Sequence, residues 1–226
     1  MNSREEEIAT SLDRLRKRVD LALAKAGRSD KVTVIAVTKT YPLSDVEILY
    51  SLGVRDFGEN RDHEGREKSE AIPANWHYQG QIQSNKISSI AKWADVVHSL
   101  DDPRHLRRLN EEVSNEKKLS VFIQVCLDPA PGRGGVLPNA IAALAELALQ
   151  TDSLKLEGLM AVAPFGEDPE SAFSRLAQIH SKFRHQYPAS PALSAGMSGD
   201  FETAILHGAT HIRVGSSILG SRAYDR

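Results

Sequence analysis

Cysteine is almost absent from this chain: Cys126 is the single example among 226 residues. An intramolecular disulfide framework is thereby excluded, and a reducing compartment is the expected setting. Long apolar runs are missing as well. No stretch approaches the roughly 20 residues needed to cross a bilayer, and the opening MNSREEEIATSLDRLRKRVD is charged, without the apolar core of a secretory signal. A soluble, cytoplasmic protein with no membrane association is expected. Neither charge dominates: 28 Lys and Arg stand against 30 Asp and Glu, a net −2 at pH 7. That balance supplies no basic field for nucleic acid. The one basic cluster, His105, Arg107 and Arg108, runs straight into Glu111 and Glu112 and reads as solvated helix face. No His/Cys cluster has metal-ligand spacing, so Cys126 reads as a small core hydrophobe and no metal is expected. A Gly-x-Ser-x-Gly elbow is also absent, which disfavours a serine hydrolase.

What is present is alternation. Short, β-branched apolar runs at 32–39, 54–60, 76–80, 96–100, 120–127, 156–164, 192–197 and 211–215 are separated by stretches of helical period. Several runs are apolar throughout, as strands buried on both faces of a parallel sheet are. Helices are predicted near 43–52, 61–71, 84–93, 102–117, 138–151, 168–186 and 199–208, with starts at Ser44, Asp102 and Asp168 and stops at Gly53 and Gly208. Eight strands in strict β-α order is the count of a closed (β/α)8 barrel. The rival, an open doubly wound sheet, ordinarily carries a glycine fingerprint after its first strand; here that strand ends Ala36-Val37-Thr38-Lys39-Thr40. An extra helix precedes the first strand, with Ile8, Leu12, Leu15, Val19 and Leu23 on one face. It is expected to pack on the outside of the barrel or close its bottom. No repeat or linker marks a second domain, so residues 1–226 are read as one domain with residues 1–27 as its N-terminal helix.

In such a barrel the chemistry sits at the C-terminal ends of the strands. Lys39 is placed there, after an apolar strand. Burial depresses a lysine pKa, and a partly neutral amine attacks aldehydes to form a Schiff base. A lysine that snorkels to solvent or pairs with a carboxylate is an equal reading of position alone. The loops after strands seven and eight decide between them. Barrels often bind phosphate there, and here these loops read Ser194-Ala195-Gly196-Met197-Ser198-Gly199-Asp200 and Arg213-Val214-Gly215-Ser216-Ser217. Each offers glycine for close approach, backbone N–H groups and serine hydroxyls. A phosphate site opposite a lysine describes a pocket for pyridoxal 5′-phosphate (PLP). Other strand ends are polar too: Glu59 and Asn60, and His77 through Gln79 with Lys86 beyond. His77 by itself reads as a satisfied core histidine, and Met160 as barrel core.

Taken together, Ala36-Val37-Thr38-Lys39-Thr40, Phe57-Gly58-Glu59-Asn60, His77-Tyr78-Gln79-Gly80-Gln81-Ile82-Gln83-Ser84-Asn85-Lys86, Gly158-Leu159-Met160, the segment from Leu193 to Glu202 and that from Arg213 to Gly220 form an ordered set over nearly the whole chain. In that set the sequence resembles the pyridoxal phosphate homeostasis protein family, barrels related to the N-terminal domain of alanine racemase (PLP fold type III). The resemblance implies that Lys39 is the Schiff-base lysine and that Ser198, Gly215 and Ser216 bind the phosphate. It implies further that Arg213 faces the pyridine nitrogen and that Asn60 and Met197 line the cofactor. The sequence departs from the family at Ser216, where threonine is usual, at Arg61-Asp62-His63, where an aromatic is usual, and at Gly132-Arg133-Gly134-Gly135 after strand five.

An arginine opposite the ring nitrogen only donates, which favours an unprotonated nitrogen and a weaker electron sink. That disfavours transaminase or decarboxylase chemistry. Racemisation needs a second base, which in alanine racemases is a tyrosine from a second domain of the partner subunit; here only His77, Tyr78 and Lys86 are local candidates. The expectation is a PLP carrier with no catalytic residue, acting in cofactor homeostasis by buffering or delivery to apo PLP-dependent enzymes, as a monomer or weak dimer. A weak amino-acid racemase is the alternative, and an aldolase-type Schiff base on sugar phosphates comes third.

Overall fold

The computed structural model describes residues 3–114, 116–128 and 133–220. Its strands are β1 (Thr33–Val37), β2 (Asp56–Glu59), β3 (Asn75–Tyr78), β4 (Val96–Leu100), β5 (Leu119–Gln124), β6 (Leu154–Met160), β7 (Ala192–Ser194) and β8 (His211–Val214). They follow one another in chain order around a closed barrel, and β8 pairs parallel with β1 through Ile35↔Arg213 and Ala36↔Val214. The helices are α1 (Ser3–Lys25), α2 (Leu43–Ser51), α3 (Asp62–Ala71), α4 (Ile87–Trp93), α5 (Pro103–Glu112), α6 (Ile141–Leu149), α7 (Pro169–Gln186), α8 (Phe201–Leu206) and α9 (Ser216–Leu219). The eight-strand parallel barrel expected from the alternation is the architecture observed.

Most strands stop short of their apolar runs. The run 32–39 is ladder only to Val37, because Tyr41 N bonds back to Thr38 O and Thr40 takes φ +66°, turning the chain away from the rim. Lys39 therefore sits in the turn after β1. Asp102 and Asp168 cap α5 and α7 through the amides of Arg104 and Ser171. Ser44 does not start α2: Pro42 precedes the helix and supplies no side-chain cap. Gly53 and Gly208 follow their helices at φ +87° and +95°, a conformation that glycine adopts without strain. The short α9 was not foreseen.

Helix α1 packs across α2, α8 and α9 on the outside of the barrel. Ile8, Leu12, Leu15 and Val19 are buried as the pattern requires, and Ala22 takes the place expected of Leu23, which is only partly covered. Arg4 ties α1 to Asp45 at 2.6 Å, and Arg18 reaches Glu202. A cavity of about 780 Å³ lies between α1 and the N-terminal ends of β1 and β2, with Arg16, Arg55 and Asp56 in its wall.

Branched aliphatic side chains commonly fill barrels of this kind. Here the inner apolar cluster is small, comprising Val96, Phe122 and Met160 with Val162 and Ala192 against it. Buried beside it are His77, His98, Ser194 and Arg213. Cys126 is buried as expected, its thiol donating to Asp128 O. The basic stretch of α5 also behaves as predicted: Leu106 is buried while Arg107 and Arg108 face solvent.

Candidate functional site

Because β7, β8, β1, β2 and β3 are consecutive around the barrel, the loops that follow them form one arc of the C-terminal rim. That arc carries, in order, Met197 and Ser198, Gly215 and Ser216, Lys39, Asn60 and Gln81. The sequence-predicted site residues are thus brought to one edge by topology alone.

The turn bearing Lys39 is clamped on both sides. Thr38, fully buried, donates its hydroxyl to Glu59 Oε1 at 2.6 Å, and its carbonyl accepts from Lys68 Nζ at 2.8 Å. Lys68 also pairs with Glu59 Oε1 at 2.7 Å and lies 3.5 Å from Glu64. Beyond Lys39, the Thr40 amide donates to Glu64 Oε2 at 2.6 Å and so holds a φ of +66° that non-glycine residues seldom adopt. Burial raises the Glu59 carboxyl above its usual range, and the attractions of Lys68 and Thr38 only partly oppose this. Glu59 Oε2 is buried without a hydrogen-bond partner. Lys39 itself is half-buried.

The loops after β7 and β8 lock onto each other. Ser198 Oγ accepts from the amides of Gly215 and Ser217, each at 3.3 Å, and Ser217 Oγ donates to Ser198 O. Gly196, at φ +92°, makes the first bend; a Cβ there would meet Ala204 Cβ at 2.7 Å. Asp200 Oδ1 takes the Met197 amide at 2.6 Å, leaving the Met197 side chain exposed on the rim. At Gly215 an added Cβ would lie 3.1 Å from Val37 O, so a bare backbone lets β8 leave the barrel close against β1. Amides converging on one hydroxyl oxygen are also oriented to receive an anion.

Arg213 is the buried cation of the site. Its guanidinium donates to Ser194 Oγ at 2.7 Å and Ala161 O at 2.9 Å, two neutral acceptors. Burial lowers its pKa to about 10, which leaves it charged at neutral pH. Asn60 lies at the rim on a cavity of about 300 Å³ shared with Tyr78 and Lys86.

Of the three local candidates for a second base, Tyr78 and Lys86 line that cavity and His77 does not. Tyr78 donates to Gln81 O at 2.8 Å, and burial pushes its phenol up to about 12. His77 points into the barrel, toward His98 and Asp56. Lys86 stays at the rim, 3.9 Å from Asp62. Asp62, in the Arg61-Asp62-His63 departure from the family pattern, accepts from Trp93 Nε1 and so holds α3 to α4. In the Gly132-Arg133-Gly134-Gly135 departure, Gly132 lies outside the described residues, Gly135 takes φ +110°, and Val136 pairs parallel with Val125.

The alanine racemase N-terminal domain family model matches residues 10–223. The pyridoxal phosphate homeostasis protein of Corynebacterium glutamicum is 40% identical over 218 residues, covering 92% of this chain and 99% of its own. The chain belongs to the pyridoxal phosphate homeostasis protein family. Among solved structures, PipY of Synechococcus elongatus with PLP bound superposes with a TM-score of 0.81 at 31% identity, covering 94% of this chain and all of PipY. Alanine racemase of Corynebacterium glutamicum superposes at 0.71 with 15% identity, covering 98% of this chain and 62% of the enzyme, a likeness of fold.

Sequence reasoning missed Lys68 and Glu64. Glu64 and Lys68 do stand four apart, the spacing of a helical ion pair. In a stretch as charged as 61–71, however, that spacing carries no mark of burial.

Proposed function

We propose that this protein holds pyridoxal 5′-phosphate covalently through Lys39 and acts in intracellular, cytoplasmic PLP homeostasis, as a carrier rather than a catalyst, with residues 1–226 working as one barrel domain. The observation that carries the reading is the single rim arc, with Lys39 in a clamped turn between the interlocked Ser198–Ser217 loops and Asn60, beside the buried Arg213. The residues present fit the group. Ser198, Gly215 and Ser216 would hold the phosphate on amide and hydroxyl donors, Arg213 would donate to the ring nitrogen, and Asn60 and Met197 would flank the ring. Relatives that carry the homeostasis name, and PipY with PLP bound, support the same assignment.

When bound, the group supplies an aldehyde for reversible exchange with amines and a ring that withdraws electrons. Arg213, charged and able only to donate, would keep the ring nitrogen unprotonated and that withdrawal weak. Tyr78, with its hydroxyl committed to Gln81 O, is a poor proton acceptor, and His77 is turned inward. Both features weigh against the racemase alternative. Apo PLP-dependent enzymes are the natural recipients of a cofactor held this way.

The test is an absorption spectrum of the purified protein loaded with PLP, before and after borohydride, with peptide mapping of the modified lysine. Label on Lys39, lost in Lys39→Ala, is expected. Persistent covalent label elsewhere in that variant would sink the assignment. Solvent deuterium entering Cα of an amino-acid panel faster than with free PLP would favour the racemase instead.

A further inference from the structure

Below Arg213 a continuous line of buried polar groups crosses the barrel interior. Arg213 Nη1 bonds Ser194 Oγ at 2.7 Å, Ser194 Oγ meets His98 Nδ1 at 2.9 Å, and His98 Nε2 meets His77 Nδ1 at 2.9 Å. His77 Nε2 reaches Asp56 Oδ1 at 3.1 Å. Ser194, His98 and His77 are all buried, while Asp56 lies in the wall of the 780 Å³ cavity at the opposite end. The chain thus runs from the rim to the far mouth of the barrel.

Its proton positions follow from the two ends. An ionised carboxylate only accepts, so His77 Nε2 must carry the proton directed at Asp56. Because burial keeps His98 from carrying a second proton and its Nδ1 faces the Ser194 hydroxyl, the single His98 proton goes on Nε2 and is donated to His77 Nδ1. His98 in turn accepts at Nδ1, so the Ser194 hydroxyl donates to it. The second lone pair of Ser194 is left for Arg213, which can only donate. Every donor points from Arg213 toward Asp56. The reverse order would aim a His77 lone pair at the Asp56 carboxylate, with only Asn75 Nδ2 at 3.1 Å to donate to it, and leave the Ser194 proton to find another acceptor; the shorter 2.7 Å bond from Asn75 goes to Asp56 instead. Asn75 Nδ2 donates to the same Asp56 oxygen at 2.7 Å, which places the carboxylate.

The electrostatics agree with this order. Burial would raise the Asp56 carboxyl, but hydrogen bonds from His77 and Asn75 outweigh it and hold the group below its usual value. Burial, with the nearby His77, Arg213 and His211, pushes His98 well below the usual histidine range, so it is neutral. His98 is further fixed by stacking on Phe122 at 4.6 Å.

We propose that Asp56, His77, His98 and Ser194 are positioning residues for Arg213. They form a one-directional hydrogen-bond chain that fixes the guanidinium and links it to a carboxylate at the opposite end of the barrel, while Asp200 is the carboxylate whose attraction favours its charge. The consequence for the cofactor rests on the assignment of Arg213 to the ring nitrogen; the polarity of the chain does not.

Two measurements test it on the full chain. In 15N-histidine NMR of the protein without added cofactor, His77 and His98 are both expected as Nε2–H tautomers. Loss of that uniform pattern is expected in Asp56→Asn. A protonated Nδ1 on His98 in the unsubstituted protein would overturn the proposal. With PLP as the probe, Ser194→Ala is expected to weaken binding about tenfold, the value of one hydrogen bond to a charged group. It should also move the pH midpoint of the bound cofactor's visible absorption. Ser194→Thr, which keeps the hydroxyl, should restore both, and Asp56→Asn should shift both in the same direction by less. Phe173→Leu, on the outer helix α7, is the packing control and should leave the midpoint in place. Unchanged affinity and midpoint in Ser194→Ala and Asp56→Asn refute the chain. Failure of the unsubstituted protein to bind PLP would instead refute the functional reading, with the tautomers still deciding the chain.

Discussion

Replacing Lys68 by methionine isolates the clamp beneath Lys39, because the two side chains have similar length and only the ammonium is lost. In the native protein Glu59 is completely buried and its charge is met by Lys68 at 2.7 Å and by the Thr38 hydroxyl at 2.6 Å, while Oε2 is already without a partner. Without Lys68, one neutral hydrogen bond remains for a buried carboxylate. Breaking one side of a buried ion pair costs about 3–5 kcal/mol. A chain of this length loses roughly 2–4 °C of Tm per kcal/mol, so thermal unfolding of Lys68→Met should begin roughly 6–20 °C lower by the same scaling. The pH dependence has a defined sign. The Glu59 carboxyl is already raised in the folded state by burial, and losing Lys68 raises it further. The folded variant then holds a proton that the unfolded chain releases near its ordinary value, so its stability falls as pH rises through the folded pKa. The deficit against the unsubstituted protein should therefore be smallest in mild acid and complete at alkaline pH. The double variant Glu59→Gln with Lys68→Met should lose less than the two single losses added. A Tm within about 2 °C of the unsubstituted protein, which is less than about 1 kcal/mol on that scaling, or a deficit independent of pH, refutes the clamp.

At the loops after β7 and β8, Ser198→Ala removes the hydroxyl that ties Gly215 and Ser217 together. PLP affinity measured by equilibrium dialysis should fall about tenfold or more, since a hydrogen bond to a charged group is worth about 1.5–3 kcal/mol. Unchanged affinity would remove Ser198 from the site. Gly196→Ala should destabilise by more than about 1 kcal/mol in urea, because φ +92° suits glycine and the new methyl meets Phe201 Cα at 2.8 Å. Asp102→Ala should cost about 1 kcal/mol through loss of the α5 cap, with PLP binding intact.

The barrel was legible because its signals are local. Each strand is a short apolar run bounded by turn residues, each helix has its own period and caps, and eight repeats of that unit admit few closures. Lys39 and the loops after strands seven and eight could be singled out as candidates because barrel chemistry gathers at strand ends, which can be read from the run that precedes them; the roles expected of Ser198, Arg213, Gly215 and Ser216 came from the family resemblance. The limits of the strands were less legible: the turn at Thr38–Tyr41 is held by Glu64, which lies across the β2–α3 loop and has no signature in the run 32–39.

Sequence by itself therefore determined the architecture and the family, and pointed to one rim as the candidate site, since periodicity and motif order are properties of the chain alone. Tertiary structure decided which charges are buried and what each one touches. Lys68 and Glu59 are nine residues apart, and Asp56 is connected to Arg213 only through His77, His98 and Ser194, each on a different strand. The physical reason is that a side chain's cost or use depends on the water and partners around it, and barrel closure sets those by bringing distant strands into one interior.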